Sequence, residues 1–320
     1  MNWIIVSKDV NPQNPVVKRL LDEAVEATPA GFVKTDPTGE TISENTVSML
    51  PKHPVRARCR LCGQVGDLTK EHLPPKSSGN KERLHMLTFD DWLHDKLDAN
   101  PEMNHKTEQV GVFGYTICRT CNTLTGINYG NEYKDWTERA KKIINGFEPG
   151  TLASLNQLEG PFGWEVTFGS KEDGPVRPGA FVRQVLSCMC SLSGSWNLAG
   201  RYPELRRIIL EQSKEPLPAG LELGFSLYVG PKIRTMGPQL RVDLKTETWR
   251  WCQEIAYPPF AFLFVIASNK ANPGLGLMMH DWTTLGPDEK QHFTGTVELG
   301  FGWSPYPGDY RSEAAIIAKR

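Results

Sequence analysis

Apolar residues first recur at helical spacing in residues 16–26, where Leu20, Leu21 and Val25 share one face and predict a short helix. Pro29, Gly31, Pro37 and Gly39 then interrupt regular structure, and the polar run 36–48 reads as a linker. Within residues 86–97, Phe89, Trp92, Leu93 and Leu97 fall roughly on one face of another short helix. Residues 110–117 read as a strand, and 131–144 as a helix that stops before Gly146. Further along, 164–168 reads as a strand, 178–191 as a helix with Pro178 in its first turn, and 204–211 as a second helix. Strand-like runs follow at 221–229, 240–244, 248–255, 260–266 and 292–300. Helices followed by a group of strands predict an α+β fold with a mainly antiparallel sheet. The chain therefore divides into an N-terminal arm and linker (1–55), a cysteine-bearing module (56–145) and a separate α+β domain (160–320).

The length of 320 residues agrees with about two domains. Lys+Arg number 36 and Asp+Glu 37, which excludes a uniformly basic protein but leaves room for a local basic groove. No apolar run reaches the ~18–20 residues of a bilayer span. The opening MNWIIVSKDV lacks the basic start and longer apolar stretch of a signal peptide, so a cytoplasmic chain with reduced thiols is expected.

Four of the seven cysteines form two pairs, Cys59-Arg-Leu-Cys62 and Cys118-Arg-Thr-Cys121. Thiolates so spaced can turn back on one ion, and two such pairs complete a tetrahedron of sulfur that selects zinc. Gly63 favours the tight turn of a zinc knuckle. Four thiolates leave no open position on the ion, so the zinc is structural. Cys188, Cys190 and Cys252 read as buried small apolar groups.

Next to the cysteines stand Lys70-Glu71-His72-Leu73-Pro74-Pro75-Lys76 and, after Cys121, Asn122. Zinc joining the two halves is expected to bring Asn122 near Glu71 and His72. A carboxylate and an amide oxygen suit a hard divalent ion such as Mg²⁺ or Mn²⁺, and an imidazole can take a proton from water near neutral pH. Together they predict a one-metal phosphodiesterase centre. Asn122 also reads as a helix N-cap. Residues 51–90 hold eight Lys/Arg against four Asp/Glu. Arg56, Arg58, Arg60, Lys70, Lys76 and Arg119 are candidate phosphate contacts, with Lys70 and Lys76 best placed. His85, His94 and His105 have no ligand-like spacing. Glu132 is a candidate support for the metal site.

CRLCG, then LTKEHLPPK, then ICRTCN resembles the HNH (ββα-metal) endonuclease superfamily, in its four-cysteine zinc variant with a CxxCN end. The resemblance covers 56 to about 140. It implies that His72 is the general base, that Glu71 and Asn122 hold the catalytic ion, and that the four cysteines hold structural zinc. Lys70, Lys76 and Arg119 would meet substrate phosphate. The implied activity is endonucleolytic hydrolysis of nucleic acid, double-stranded DNA by default. Glu71 stands where the family usually has Asp. The competing reading is an inactive zinc-stabilised module that binds nucleic acid or a protein.

Residues 160–320 carry no catalytic motif. By analogy with fused HNH modules they would recognise DNA, bind a small-molecule or protein activator, or form a homodimer, with a restriction or antiphage-defence role. The aromatic run Trp249, Trp251, Phe260, Phe262 and Phe264 reads as core or as a stacking surface, and Asp309 and Arg311 as shaping a pocket.

Overall fold

The computed structural model of the protein describes residues 4–5, 15–26, 50–86, 106–146, 162–228, 233–243, 246–269 and 277–300. The proposed helix at 86–97, the linker at 36–48, His94, His105, Asp309 and Arg311 lie outside the described residues or, at Met86, on their border.

Among the described residues the chain is a mixed α+β fold with largely antiparallel sheets. Helix α1 spans Pro15–Glu26. A small sheet runs in the order β2 (Arg56–Arg58), β3 (Val65–His72), β6 (Phe113–Cys118). Between them, β4 (Leu84–Met86) pairs with β5 (Lys106–Glu108). Helix α2 starts directly after β6 and covers Arg119–Asn145. Strand β7 (Phe162–Phe168) precedes the helices α3 (Pro178–Leu192), α4 (Leu198–Arg201) and α5 (Pro203–Leu210). The large sheet is completed by β8 (Glu222–Tyr228), β9 (Arg234–Asp243), β10 (Thr248–Tyr257), β11 (Phe260–Ser268), β12 (Leu277–Met278) and β13 (Phe293–Gly300). Its order is β1-β9-β10-β11-β8-β13-β7, with β1 being Ile4–Ile5 and β12 pairing with β8. Only the β1–β9 and β13–β8 pairings are parallel.

Helix α2 begins twelve residues earlier than the polar, glycine-bearing run 124–133 suggests. Each helical glycine costs about 1 kcal/mol relative to alanine. Tertiary burial outweighs that cost: Tyr129, Tyr133 and Trp136 are all buried along one side of α2. The N-cap is Cys118, so Asn122 lies inside the first helical turn and does not cap it.

Aromatic packing joins the two regions. The Trp136 ring stacks on Phe168 and Phe181 with centroids 4.5 and 4.4 Å apart, and Phe181 meets Phe225, Phe260 and Phe262 of the large sheet. One continuous buried cluster runs from Cys59, Leu68 and Ile117 through α2 and α3 to that sheet. Trp249, Trp251, Phe260, Phe262 and Phe264 are all buried in it, as core rather than a stacking surface. Cys188, Cys190 and Cys252 are likewise buried.

Polar contacts fix the orientation. Glu132 accepts from Trp136 Nε1 at 2.9 Å and from the Arg177 backbone N–H and Nε at 2.8 and 2.7 Å. Its carboxylate is therefore a helix–helix fastener, not support for a metal site. The fully buried Arg183 guanidinium donates to the carbonyls of Gly179, Ile208, Ser213, Thr283 and Leu285. Tyr129 and Tyr257 hydroxyls donate to Ile209 O and Gly79 O across the junction. No helix among the described residues is long and apolar enough to cross a membrane.

Phe181→Ala removes the ring shared by α2, α3 and the sheet. It is expected to lower unfolding free energy by about 3–5 kcal/mol in urea titrations, the usual cost of truncating a buried phenylalanine.

Candidate metal centre and the face around His72

Strand β2 ends at the Cys59–Cys62 knuckle, which turns into β3. The reversal needs a left-handed residue, and Gly63 takes φ +76° there. Its amide donates to Cys59 O at 2.9 Å, and Arg58 donates to Gly63 O at 2.6 Å. Arg58 thereby braces the knuckle. Across the sheet, Leu68 pairs with Cys118, which brings the second cysteine pair over the first.

The four sulfurs of Cys59, Cys62, Cys118 and Cys121 all lie within 4.8 Å of one another. Zn–S bonds of ~2.3 Å in a tetrahedron require sulfur edges of about 3.8 Å. The Cys62–Cys118 separation is 3.8 Å. The Cys118 amide also donates to Cys59 Sγ at 3.3 Å. The Cys59 thiol is drawn down to about 5, chiefly by its bond with Cys121 and, against burial, by the amides of Cys118, Cys62 and Leu61. Burial pushes Cys62 up to about 11, and the bond to Cys59 raises Cys121. So close a sulfur set cannot carry four negative charges without a cation. The donor set fits structural Zn²⁺, which these four residues would hold. Among the described residues no other group of three or more His, Cys, Asp or Glu side chains comes within mutual ligand reach.

Arg60 was a candidate phosphate contact, but it is buried beside the sulfurs. Its guanidinium donates to the Ser191 carbonyl of α3, and burial lowers it to about 10. Arg56 is exposed and lies 3.9 Å from the exposed Asp67 carboxylate, a pair of little energetic weight.

The zinc end and the His72 end of β3 are about 13 Å apart, four residues at ~3.3 Å each. Alternation along β3 decides which side chains meet. Lys70 is exposed, Glu71 is buried and His72 is half-buried. Successive strand residues point to opposite faces, so Glu71 does not share a face with Lys70 and His72. Glu71 Oε2 instead accepts from Thr116 Oγ1 at 2.8 Å and Ser191 Oγ at 2.6 Å. Burial pushes its carboxyl up to about 7, against the pull of those two hydroxyls and of Arg60. The structure thus does not bring Glu71 to the side of His72, and the donor set expected for Mg²⁺ or Mn²⁺ is not assembled there.

Asn122 does reach this strand. Its Nδ2 donates to Thr69 Oγ1 and Lys70 O, both at 3.0 Å. Asn122 thus lies against the two residues before Glu71, and not against Glu71 or His72 themselves. His72 Nε2 lies 3.1 Å from Val110 O. A carbonyl only accepts, so Nε2 carries the proton. Burial holds the imidazole below its usual range, and Lys70, Lys76 and Lys52 add to that. A neutral ring is the result at neutral pH.

Two residues of this face, Lys52 and Phe113, were not read from the sequence. Lys52 and Lys70 ammonium groups lie 4.5 and 3.9 Å from the Phe113 ring centroid, and that ring is 6.0 Å from His72. Lys52 also donates to Phe113 O at 2.8 Å. Nothing local in the sequence links positions 52 and 113; the Tyr115 amide of β6, which donates to Pro51 O at 2.8 Å, makes the link. Lys76 is exposed on the turn after His72. Arg119 is exposed at the start of α2, at the opposite end of β6 from Phe113.

Purified protein is expected to carry one zinc per chain by atomic emission, and Cys59→Ser to lose it with a fall in Tm. Glu71 gives a pH prediction. Its folded value of about 7 lies above the 4.5 of the unfolded chain. It therefore stabilises the fold fully below about pH 4.5, and that contribution is lost as pH rises to about 7. Glu71→Gln is expected to flatten this part of the stability profile, measured by urea unfolding at several pH values. Compared with protein-family models, curated proteins and solved structures, the chain has no significant match, so its functional reading rests on this geometry.

Proposed function

We propose that the chain is a zinc-stabilised nucleic-acid-binding protein whose contact face is the end of β3 and β6 around His72. One observation carries this reading: Lys52, Lys70 and Lys76 gather about His72 and Phe113 in a chain whose total charge is near zero. Neither Lys70 nor Lys76 forms an ion pair with a described carboxylate. Such a cluster is the footprint of phosphate binding, where cations release condensed counterions from the backbone. The ligand class is a phosphodiester backbone, with double-stranded DNA as the default. Glu71, facing the interior, takes no part in it.

A second reading, a metal-dependent endonuclease, is favoured by a separate observation. Burial lowers the pKa of His72 and Val110 orients its ring, as suits a base for a water proton, and Asn122 is fastened to the Lys70 backbone two residues away. The inward carboxylate of Glu71 weighs against it.

Anisotropy titrations of a labelled duplex at several salt concentrations test the first reading. Replacing Lys52, Lys70 and Lys76 together by alanine is expected to lower the slope of log K against log salt by about 0.9 per lost phosphate contact. An unchanged slope would contradict it. Supercoiled plasmid incubated with Mg²⁺ or Mn²⁺ separates the readings. The binding reading predicts no nicking by the native protein. Nicking that disappears in His72→Ala would establish the endonuclease instead.

A further inference from the structure

We propose that Asn80 is a positioning residue that locks the His72 ring, with Nε2 donating to Val110 and Nδ1 left as the acceptor on the basic face. The inference rests on the reading that His72 lies at the phosphate-facing site.

Asn80 is fully buried. Its amide donates to Pro74 O at 2.7 Å and to Val112 O at 2.8 Å, and its Oδ1 accepts from the Val112 amide at 2.7 Å. Both donor protons and the acceptor are thus used, which is the full amide pattern of an asparagine. The two segments it joins flank the His72–Val110 contact symmetrically. Pro74 follows His72 by two residues, and Val112 follows Val110 by two. Leu73 N also donates to Val112 O at 3.0 Å, and Gly111 N to Glu82 O at 2.8 Å. The backbone that presents the Val110 carbonyl is therefore held at each of its next two residues.

Gly111 makes the close approach feasible. It takes φ +79°, and a Cβ there would stand 2.2 Å from Asn80 Oδ1 and 2.6 Å from Asn80 O. No other residue fits without moving Asn80 or the strand. Asn80 and Gly111 together form a lock whose output is the position of one carbonyl. That carbonyl selects the Nε2–H tautomer, because it can only accept. Serine is too short to span both segments, and aspartate lacks the two donors.

Long-range ¹H–¹⁵N spectra of the zinc-loaded full chain read the tautomer directly, at a pH above the ordinary imidazole value. Native protein is expected to show His72 as the Nε2–H form. In Asn80→Ala the preference should fall roughly fivefold, the scale of one net hydrogen bond. A role in stability alone would lower Tm and leave the ratio untouched. If alanine prevents folding, Asn80→Asp keeps the bond from the Val112 amide and is expected to give the same mixing. A native Nδ1–H form, or an unchanged ratio in a folded variant, would overturn the proposal. The readout involves no nucleic acid. Failure of the binding reading would appear as an unchanged salt slope, and failure of the lock as an unchanged tautomer.

Discussion

Four sulfurs from two segments more than fifty residues apart converge on one point, and they can be deprotonated together only around a cation. That requirement fixes the knuckle at Gly63 and the pairing of Leu68 with Cys118. It also sets the start of α2 directly after β6. From there the consequences are mechanical. Helix α2 carries Asn122 to the backbone of Lys70, and β6 lays Phe113 beside His72. The ion does no chemistry in this scheme. Its work is to hold two strands in register so that lysines from separate places share one small surface.

Strand alternation then divides the labour between neighbouring residues. Lys70 and His72 look outward, while Glu71 looks inward to Thr116 and Ser191. The inward carboxylate, together with Arg60 on the Ser191 carbonyl, ties the zinc-bearing sheet to α3. Helix α3 in turn packs on α2 and the large sheet through Phe181. A substitution at Glu71 is therefore felt first as a change in docking between regions. Removing a buried, hydrogen-bonded carboxyl leaves its partners unsatisfied, which costs more than the intact hydrogen bonds contribute.

The cysteine ligands, α1, α3, α5 and most strands of the large sheet were legible because their signals are local: spacing, periodicity and a proline in the first turn. Strand β9 starts six residues before the run 240–244 read from the sequence, with Gly237 and Pro238 lying within it. The early start of α2 was hidden by Gly126 and Gly130, whose cost is offset by packing that sequence does not display. The inward turn of Glu71 was hidden, because the register shifts between Thr69 and Lys70, so that Leu68 and Glu71, three residues apart, are both buried. Its partner Ser191 was hidden too, being 120 residues away. Lys52, Phe113 and Asn80 escaped for the same reason: each acts through a tertiary contact, and none belongs to a recognisable spacing.

Hydrogen exchange of the zinc-loaded protein with and without a bound DNA duplex tests the central claim most directly. The account predicts protection concentrated at residues 70–76 and 110–113, with the large sheet unchanged. Protection confined to the large sheet, or none at the end of β3 under conditions where the duplex is bound, would contradict it.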